Sequence, residues 1–207
     1  MSEEILEQTA PAEKKGLIQK ILENKLLVFL PAALVLVAIA LGYFADILSP
    51  FLSGVPFRYL FKMMGGSLLT NLVTSTFGYF FALLLPVAVI VAKKINKPMV
   101  NLILLFAAAA MLLFQLLCVL VSTCMVALDY GTVVTAIKGF FGFFRGSEVL
   151  TSLYYMIQNL FSGMGFGRIL GYLFRNGVVF CSELLFLLKN VVIILMMLPA
   201  LKTLKKK

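Results

Sequence analysis

The sequence predicts an all-α polytopic membrane protein, mainly because two long uncharged runs are joined by a short lysine-rich loop. Residues 67–92 and 99–128 contain no charged side chain, and Lys93, Lys94 and Lys97 lie between them. A transmembrane helix needs about 20 predominantly apolar residues, so each run is long enough to cross a bilayer. Because the loop is short, the two runs must form an antiparallel helical hairpin.

The composition points the same way. The 207 residues are 62% hydrophobic and 13% charged, whereas a soluble domain is roughly 45–50% apolar and about 25% charged. A lipid bilayer is therefore the expected partner of most of the surface. The net charge of +9 comes from basic residues scattered over short loops, which is typical of membrane topology and argues against a nucleic-acid partner.

Two more runs complete a set of four firm spans in a single transmembrane domain covering residues 26–207. Leu26–Ala45 contains no charged residue, and the charged residues within 178–201 are Glu183 and Lys189. The polar tail 1–25 is expected to end in an amphipathic helix on the membrane surface, and 46–66 is expected to be a connecting loop. A cleaved signal peptide is the alternative for the first run, but the preceding tail is rich in glutamate, unlike a signal's basic leader.

The region 132–174 leaves two architectures open. Its first part, 132–144, is short and contains a lysine and two glycines, which favours a re-entrant or interfacial segment. Its second part, 149–174, is long enough to cross, but it carries Gln158, Asn159 and Arg168. The sequence therefore predicts four spans with a re-entrant or additional helical pair, and six spans are the alternative.

The distribution of basic residues predicts the orientation. Placing the N-terminus, the 93–97 loop and the terminal lysines in the cytoplasm puts most Lys and Arg side chains inside, as the positive-inside rule requires. The expected location is a cell membrane, the cytoplasmic membrane of a prokaryote, with both termini cytoplasmic.

The last span carries the first candidate for a functional site. Ionisable side chains inside a membrane are costly and usually mark a pathway or a site. Lys189 and Asn190 lie near the middle of this span, Glu183 lies nearer its outer end, and Arg168 and Arg175 are candidate partners for Glu183. A purely structural ion pair or a shifted span boundary is the alternative interpretation.

Polar stripes on the hairpin are the second candidate. Asn101, Ala108, Gln115 and Ser122 recur every seven residues, so they stay on nearly one helix face. A matching set of polar and small residues on the second span is expected to meet them: Asn71, Thr74, Ser75, Gly78 and Ala82. The stripes are interpreted as interhelical contacts or as the lining of a hydrophilic pathway.

A glycine series is the third feature. Gly163, Gly167 and Gly171 are spaced so that one helix would present them on one face, where another helix could approach closely. This pattern predicts internal helix packing, with a contact in a homo- or hetero-oligomer and a broken helix lining a pathway as alternatives.

No catalytic motif, cofactor-binding motif or metal-ligand spacing is present in the sequence. There is no histidine, and Cys118, Cys124 and Cys181 all lie in apolar runs. The chain is therefore not expected to be an enzyme. A transporter or permease, or a membrane subunit of a larger assembly, is the leading prediction, and a non-transporting scaffold that binds a partner is the alternative.

Overall fold

A computed structural model of the chain describes residues 25–52, 78–127, 145–163 and 165–201. The described residues form five α-helices and two short 3-10 segments, Lys25–Phe29 and residues 198–201. The helices are α1 (Leu30–Leu52), α2 (Gly78–Ile95), α3 (Pro98–Ala127), α4 (Val149–Leu160) and α5 (Phe166–Met197). The all-α prediction is confirmed.

Helices α2 and α3 form the predicted hairpin. The turn between them places Asn96 at φ 53°, a left-handed conformation that asparagine tolerates better than most residues. The Asn96 N–H donates to the carbonyl of Ala92 at 2.8 Å, closing the last turn of α2. Pro98 begins α3, at a position where its fixed φ suits a helix and its missing N–H would have no partner.

Helix α5 is the centre of the bundle and packs antiparallel to α1. Leu27 and Val28 pack against the core cluster that contains Met197 near one end, and the Ser182 hydroxyl donates to the Ala38 carbonyl at 2.7 Å further along. Near the other end, the rings of Phe44 and Phe174 meet edge to face at 5.9 Å. The contacts therefore follow one helix pair along most of its length.

The two chain ends of the described bundle lie at the same end as the lysine loop. One core cluster joins Ala92 of α2, Leu104 of α3 and Met196 of α5, with Val28 packed against it. Ala92 and Leu104 lie on either side of the lysine loop in the chain, and Val28 and Met196 lie close to the first and last described residues. The side of the membrane on which this end lies stays a prediction.

The last span is longer than the sequence predicts. Helix α5 continues without a break through Asn176 and Gly177, so the helix begins 12 residues before residue 178, where the predicted span starts. A glycine inside a helix costs only about 1 kcal/mol relative to alanine, and packing against α1 and α4 outweighs that cost. The break lies instead between Leu160, where α4 ends, and Phe166, where α5 begins.

Because of the break between α4 and α5, residues 149–174 do not form one continuous helix. Its first part forms α4, which has 12 residues and is too short to cross a bilayer, and its remainder belongs to α5. The crossing of 149–174 in the six-span alternative is therefore wrong.

The predicted loop after the first span also begins later than expected, because α1 runs through Asp46 to Leu52. The predicted interfacial helix within 1–25, the segment 132–144 and the start of the second span at 67–77 lie outside the described residues.

Four helical segments are long and apolar enough to span a membrane among the residues that the structure describes: Leu26–Ala45, Gly78–Ile95, Pro98–Val126 and Phe166–Leu201. Large apolar side chains cover their outer faces. Leu113 is 70% exposed and Phe106 is 60% exposed. In water such a surface would aggregate, whereas lipid tails solvate it.

The α1–α5 contact predicts a matched pair of variants. Ala38 is fully buried at the contact, so Ala38→Leu should overpack it and lower the free energy of unfolding by about 1–3 kcal/mol. Ala40 is exposed on the same helix, and Ala40→Leu should leave stability nearly unchanged. Thermal unfolding followed by far-UV circular dichroism in detergent measures both, and equal melting temperatures for the two variants would contradict the packing.

Candidate functional site

A network of buried polar side chains connects α3, α5 and the turn before α4. At its centre, the Asn190 side-chain amide donates to Gln115 Oε1 at 2.6 Å. The side-chain amide of Gln115 in turn donates to the main-chain carbonyl of Arg145. Asn190 is 0% exposed and Gln115 is 2% exposed, so one glutamine bridges two separate elements inside the bundle.

The carboxylate of Glu183 holds the non-helical turn 145–148 against α5. Glu183 Oε2 accepts hydrogen bonds from the main-chain N–H groups of Gly146 and Glu148. These groups lie just before α4, where an α-helix concentrates unsatisfied N–H donors and positive partial charge. Gly146 has φ 104°, a left-handed value that favours glycine. A Cβ there would also lie 3.2 Å from Leu187.

Arg145 is the ionic partner of Glu183. Its guanidinium Nη1 lies 3.8 Å from Glu183 Oε1. The guanidinium also lies over the ring of Tyr79 on α2, 4.6 Å from the ring centroid. Tyr79 stacks on Phe186 of α5 with a centroid distance of 6.2 Å. A cation above an aromatic face is favourable, so Arg145 contacts both α2 and α5.

The ion pair that the structure records for Glu183 is thus with Arg145, which was not among the predicted partners. Arg168 lies in the first turn of α5, roughly 22 Å along the helix from Glu183, and both Arg168 and Arg175 are exposed. Arg145 was not singled out from the sequence, although it follows directly the apolar segment predicted to be re-entrant. A basic residue at the end of that segment is the sequence feature that could have indicated a partner for Glu183.

Lys189 is buried between the helices at 1% exposure. The structure records no hydrogen bond or ion pair for its ammonium group in the part of the chain that it describes. Glu183 is two turns away on α5 and is occupied by Arg145 and the turn. An ammonium group buried without a partner is costly. Lys189 is thus the least compensated charge of the network.

The predicted polar stripe on α3 does face protein. Ala108, Gln115 and Ser122 are buried, and Asn101 is half-buried. Gln115 meets α5 and Arg145 rather than the second span. Asn71, Thr74 and Ser75 lie outside the described residues, whereas Gly78 and Ala82 are buried on α2.

The three glycines do not lie on one helix, so the single packing face that their spacing predicts is not formed. Gly163 precedes α5 and has φ 65°, a conformation that ends helices rather than continues them. Gly167 lies in the first turn of α5, with nothing within 4 Å of the place where a Cβ would be. Only Gly171 is buried.

Among the described residues, no group of three or more His, Cys, Asp or Glu side chains is placed to hold a metal ion. The cysteines are free thiols, with Cys118 buried and Cys124 and Cys181 exposed. The network consists of the Arg145–Glu183 ion pair, the Lys189 ammonium group and the side-chain amides of Gln115 and Asn190. These groups can form hydrogen bonds with a polar solute or with water.

These features define the chain as a membrane-embedded helical bundle with a network of polar side chains inside an apolar core. No protein-family model matches the sequence, and no curated protein or solved structure is significantly similar to it.

Neutralising Glu183 should cost more stability than neutralising Arg145. Glu183→Gln removes the negative charge that attracts two main-chain N–H groups and the Arg145 guanidinium. Hydrogen bonds to charged groups contribute about 1.5–3 kcal/mol each. Arg145→Gln leaves the two main-chain donors on Glu183, so its effect should be smaller. Chemical unfolding in mixed micelles measures both losses. The two effects in the double variant should be non-additive, and simple additivity would contradict a direct pair.

Proposed function

We propose that this protein is a small transporter that moves an ion or small polar solute along the buried network between α3 and α5. The observation that carries the proposal is Lys189, a buried ammonium group with no recorded partner in the described part of the chain. Lys189 lies about 18 Å from Leu201 along the apolar helical segment Phe166–Leu201, roughly the middle of a hydrocarbon layer about 30 Å thick. A long lysine side chain cannot easily reach either surface from that depth.

The free-energy cost of burying this charge favours a functional explanation. Replacing a buried ionic group by an apolar one of similar size is often neutral or stabilising. A lysine at this position therefore needs a compensating role, and solvation by a transient water-filled path or by a bound solute supplies one.

Polar atoms at several depths support a pathway through the bundle. Three buried atoms have no hydrogen-bond partner among the described residues: Asn101 Oδ1, Asn190 Oδ1 and Arg145 Nε. Asn101 lies one turn from the lysine loop, Asn190 lies beside Lys189, and Arg145 lies with Glu183 further toward the opposite end. Buried polar atoms are normally satisfied, so these are points where a passing solute or water molecule would bind.

The turn 145–148 closes this route at the end opposite the lysine loop. Glu183 is about 27 Å from Leu201 along the segment Phe166–Leu201, near the far boundary of the hydrocarbon layer. Irregular backbone at that depth is tolerated where it is enclosed by protein or lines a water-filled cavity, as in the broken helices of transporters. The Arg145–Glu183 pair would have to separate or shift for a solute to pass.

The proposed orientation places the lysine-loop end in the cytoplasm. Both ends of the described bundle lie at this end with the loop. Lysines follow in the terminal segment, and positive side chains near membrane boundaries favour the cytoplasmic side.

Cysteine accessibility tests the pathway without knowledge of the solute. In a variant whose three native cysteines are replaced by serine or alanine, Lys189→Cys should react with a membrane-impermeant cationic thiosulfonate reagent. Ile193→Cys, one turn away at a 0% exposed apolar position, should react at least tenfold more slowly. Thiol modification needs water and a thiolate, so the difference reports a hydrated path.

If Lys189→Cys is as unreactive as Ile193→Cys in proteoliposomes and in detergent, Lys189 does not line a hydrated route and the transport proposal fails.

A membrane scaffold, or a subunit that contacts other chains in a larger assembly, is the second candidate. The observation that favours it is the open space around Gly163, Gly165 and Gly167, where a Cβ would meet nothing within 4 Å. Exposed backbone of this kind lets another helix approach closely. Phe161 and Phe166 flank this surface and are 84% and 81% exposed.

Gly167→Leu separates association from folding. Because the site is open, the variant should fold with unchanged thermal stability. If a partner helix packs there, the added side chain should abolish the crosslinked complex formed in native membranes. Tyr172→Leu, one turn further and also exposed, serves as the control. A crosslinking pattern that Gly167→Leu leaves intact would remove the support for the scaffold function.

A further inference from the structure

A polar cleft of about 420 Å³ lies between α4 and the first half of α5. It is separate from the buried network, and the proposed transport function makes no use of it. Its α4 side consists of Tyr155, Gln158, Asn159 and, just after the helix, Ser162.

The α5 side of the cleft consists of Tyr172, Arg175 and Asn176. Every residue that lines the cleft is thus polar or aromatic with a hydroxyl group. None is acidic, and Arg175 supplies the charge.

This lining matches a phosphate group. A guanidinium binds phosphate oxygens through paired N–H donors. Carboxamides and the hydroxyl groups of tyrosine and serine add neutral donors around it. A quaternary or primary ammonium group would find no carboxylate among the residues lining the cleft. The chemistry therefore favours a headgroup with net negative charge over a zwitterionic one.

The position of the cleft along α5 indicates where that phosphate comes from. The helical path from Leu201 to Arg175 is about 39 Å long. A hydrocarbon core is about 30 Å thick, and the bilayer with its headgroups about 40–45 Å. If Leu201 marks one boundary of the hydrocarbon and the helix has the common tilt of about 20°, Arg175 lies about 37 Å from that boundary, at the outer edge of the headgroup layer on the opposite side.

The surroundings of the cleft are those of a membrane interface. Phe161 and Phe166 lie in and just after the connection between α4 and α5 and are 84% and 81% exposed. Aromatic side chains are enriched at the boundary between headgroups and hydrocarbon. Ile157 on α4 and Leu170 on α5, 50% and 45% exposed, add apolar surface near the cleft that acyl chains can cover.

We propose that this cleft binds the phosphate headgroup of an anionic phospholipid in the leaflet opposite the lysine loop. The ligand is a lipid of the surrounding membrane, held by Arg175 and the neutral donors of α4 and α5, with its acyl chains outside the cleft.

Native mass spectrometry of the full-length protein in detergent tests the proposal. Phosphatidylglycerol and phosphatidylcholine with identical acyl chains are the probes. The first phosphatidylglycerol molecule should bind at least tenfold more tightly than the first phosphatidylcholine molecule. Arg175→Gln should weaken phosphatidylglycerol binding by about fivefold to tenfold and leave phosphatidylcholine binding unchanged.

Two matched controls separate the cleft from general charge and from folding. Arg168→Gln removes the same charge from an exposed position on α5 that does not line the cleft, and it should change binding less than twofold. Tyr155→Phe removes a lining hydroxyl group and should weaken binding, whereas Tyr154→Phe, on α4 but outside the cleft, should not. The tyrosine pair decides the result if Arg175→Gln does not fold.

Three results overturn the proposal. The first is equal binding of the two lipids, and the second is equal loss in Arg168→Gln and Arg175→Gln. The third concerns the source of the phosphate: displacement of phosphatidylglycerol by millimolar inorganic phosphate or glycerol 3-phosphate would make the cleft a site for soluble phosphate compounds.

Discussion

The Glu183 carboxylate is the interaction on which the interior of this bundle depends. A negative charge inside a membrane protein is tolerated only when several hydrogen-bond donors or positive groups surround it. For Glu183 these stabilising groups come from three sources. The main-chain N–H groups of the turn before α4, the guanidinium of Arg145 and the electrostatic environment of the α4 N-terminus converge on one side chain. This convergence fixes where the chain returns to the bundle, and it lets non-helical backbone lie against α5.

The rest of the site follows from that attachment. Once the turn is held, the carbonyl of Arg145 faces α3 and accepts from Gln115, and Gln115 can then bind Asn190. The same attachment brings the Arg145 guanidinium over Tyr79, which also packs against Phe186. Four separate parts of the chain thus meet around one buried carboxylate, and Lys189 is left two turns away with the least compensation.

The parts of the fold that the sequence predicts are those set by local composition. Long uncharged runs identify the helices, and the lysine loop identifies the hairpin, because the cost of placing charge in lipid is large enough to act residue by residue. The buried face of α3 was readable from Gln115 and Ser122 at a spacing of seven. A break near the glycine series was predicted only as an alternative, because Arg175, Asn176 and Gly177 resemble a boundary, whereas α5 is continuous through that stretch.

The candidate site was only half predictable for the same reason. Lys189, Asn190 and Gln115 stand out as polar residues in apolar surroundings. Their partners are set by tertiary contacts that no local pattern encodes: Arg145 is 38 residues before Glu183 in the chain, and its role depends on how the turn returns.

The unbroken course of α5 has a mechanical consequence. A single helix of 32 residues carries Lys189, Glu183 and Arg175. A rigid-body rotation of α5 therefore displaces these groups in a fixed relation to one another. Tilting a helix of about 48 Å by about 10° around its midpoint displaces each end by about 4 Å. A rotation of that size would shift the Arg175 end against the headgroups and the Met197 end against the lysine loop in opposite directions. A bilayer thinner than the apolar length of α5 favours a larger tilt, which would move Lys189 and Arg175 in opposite directions and leave Glu183, close to the midpoint of the helix, almost in place.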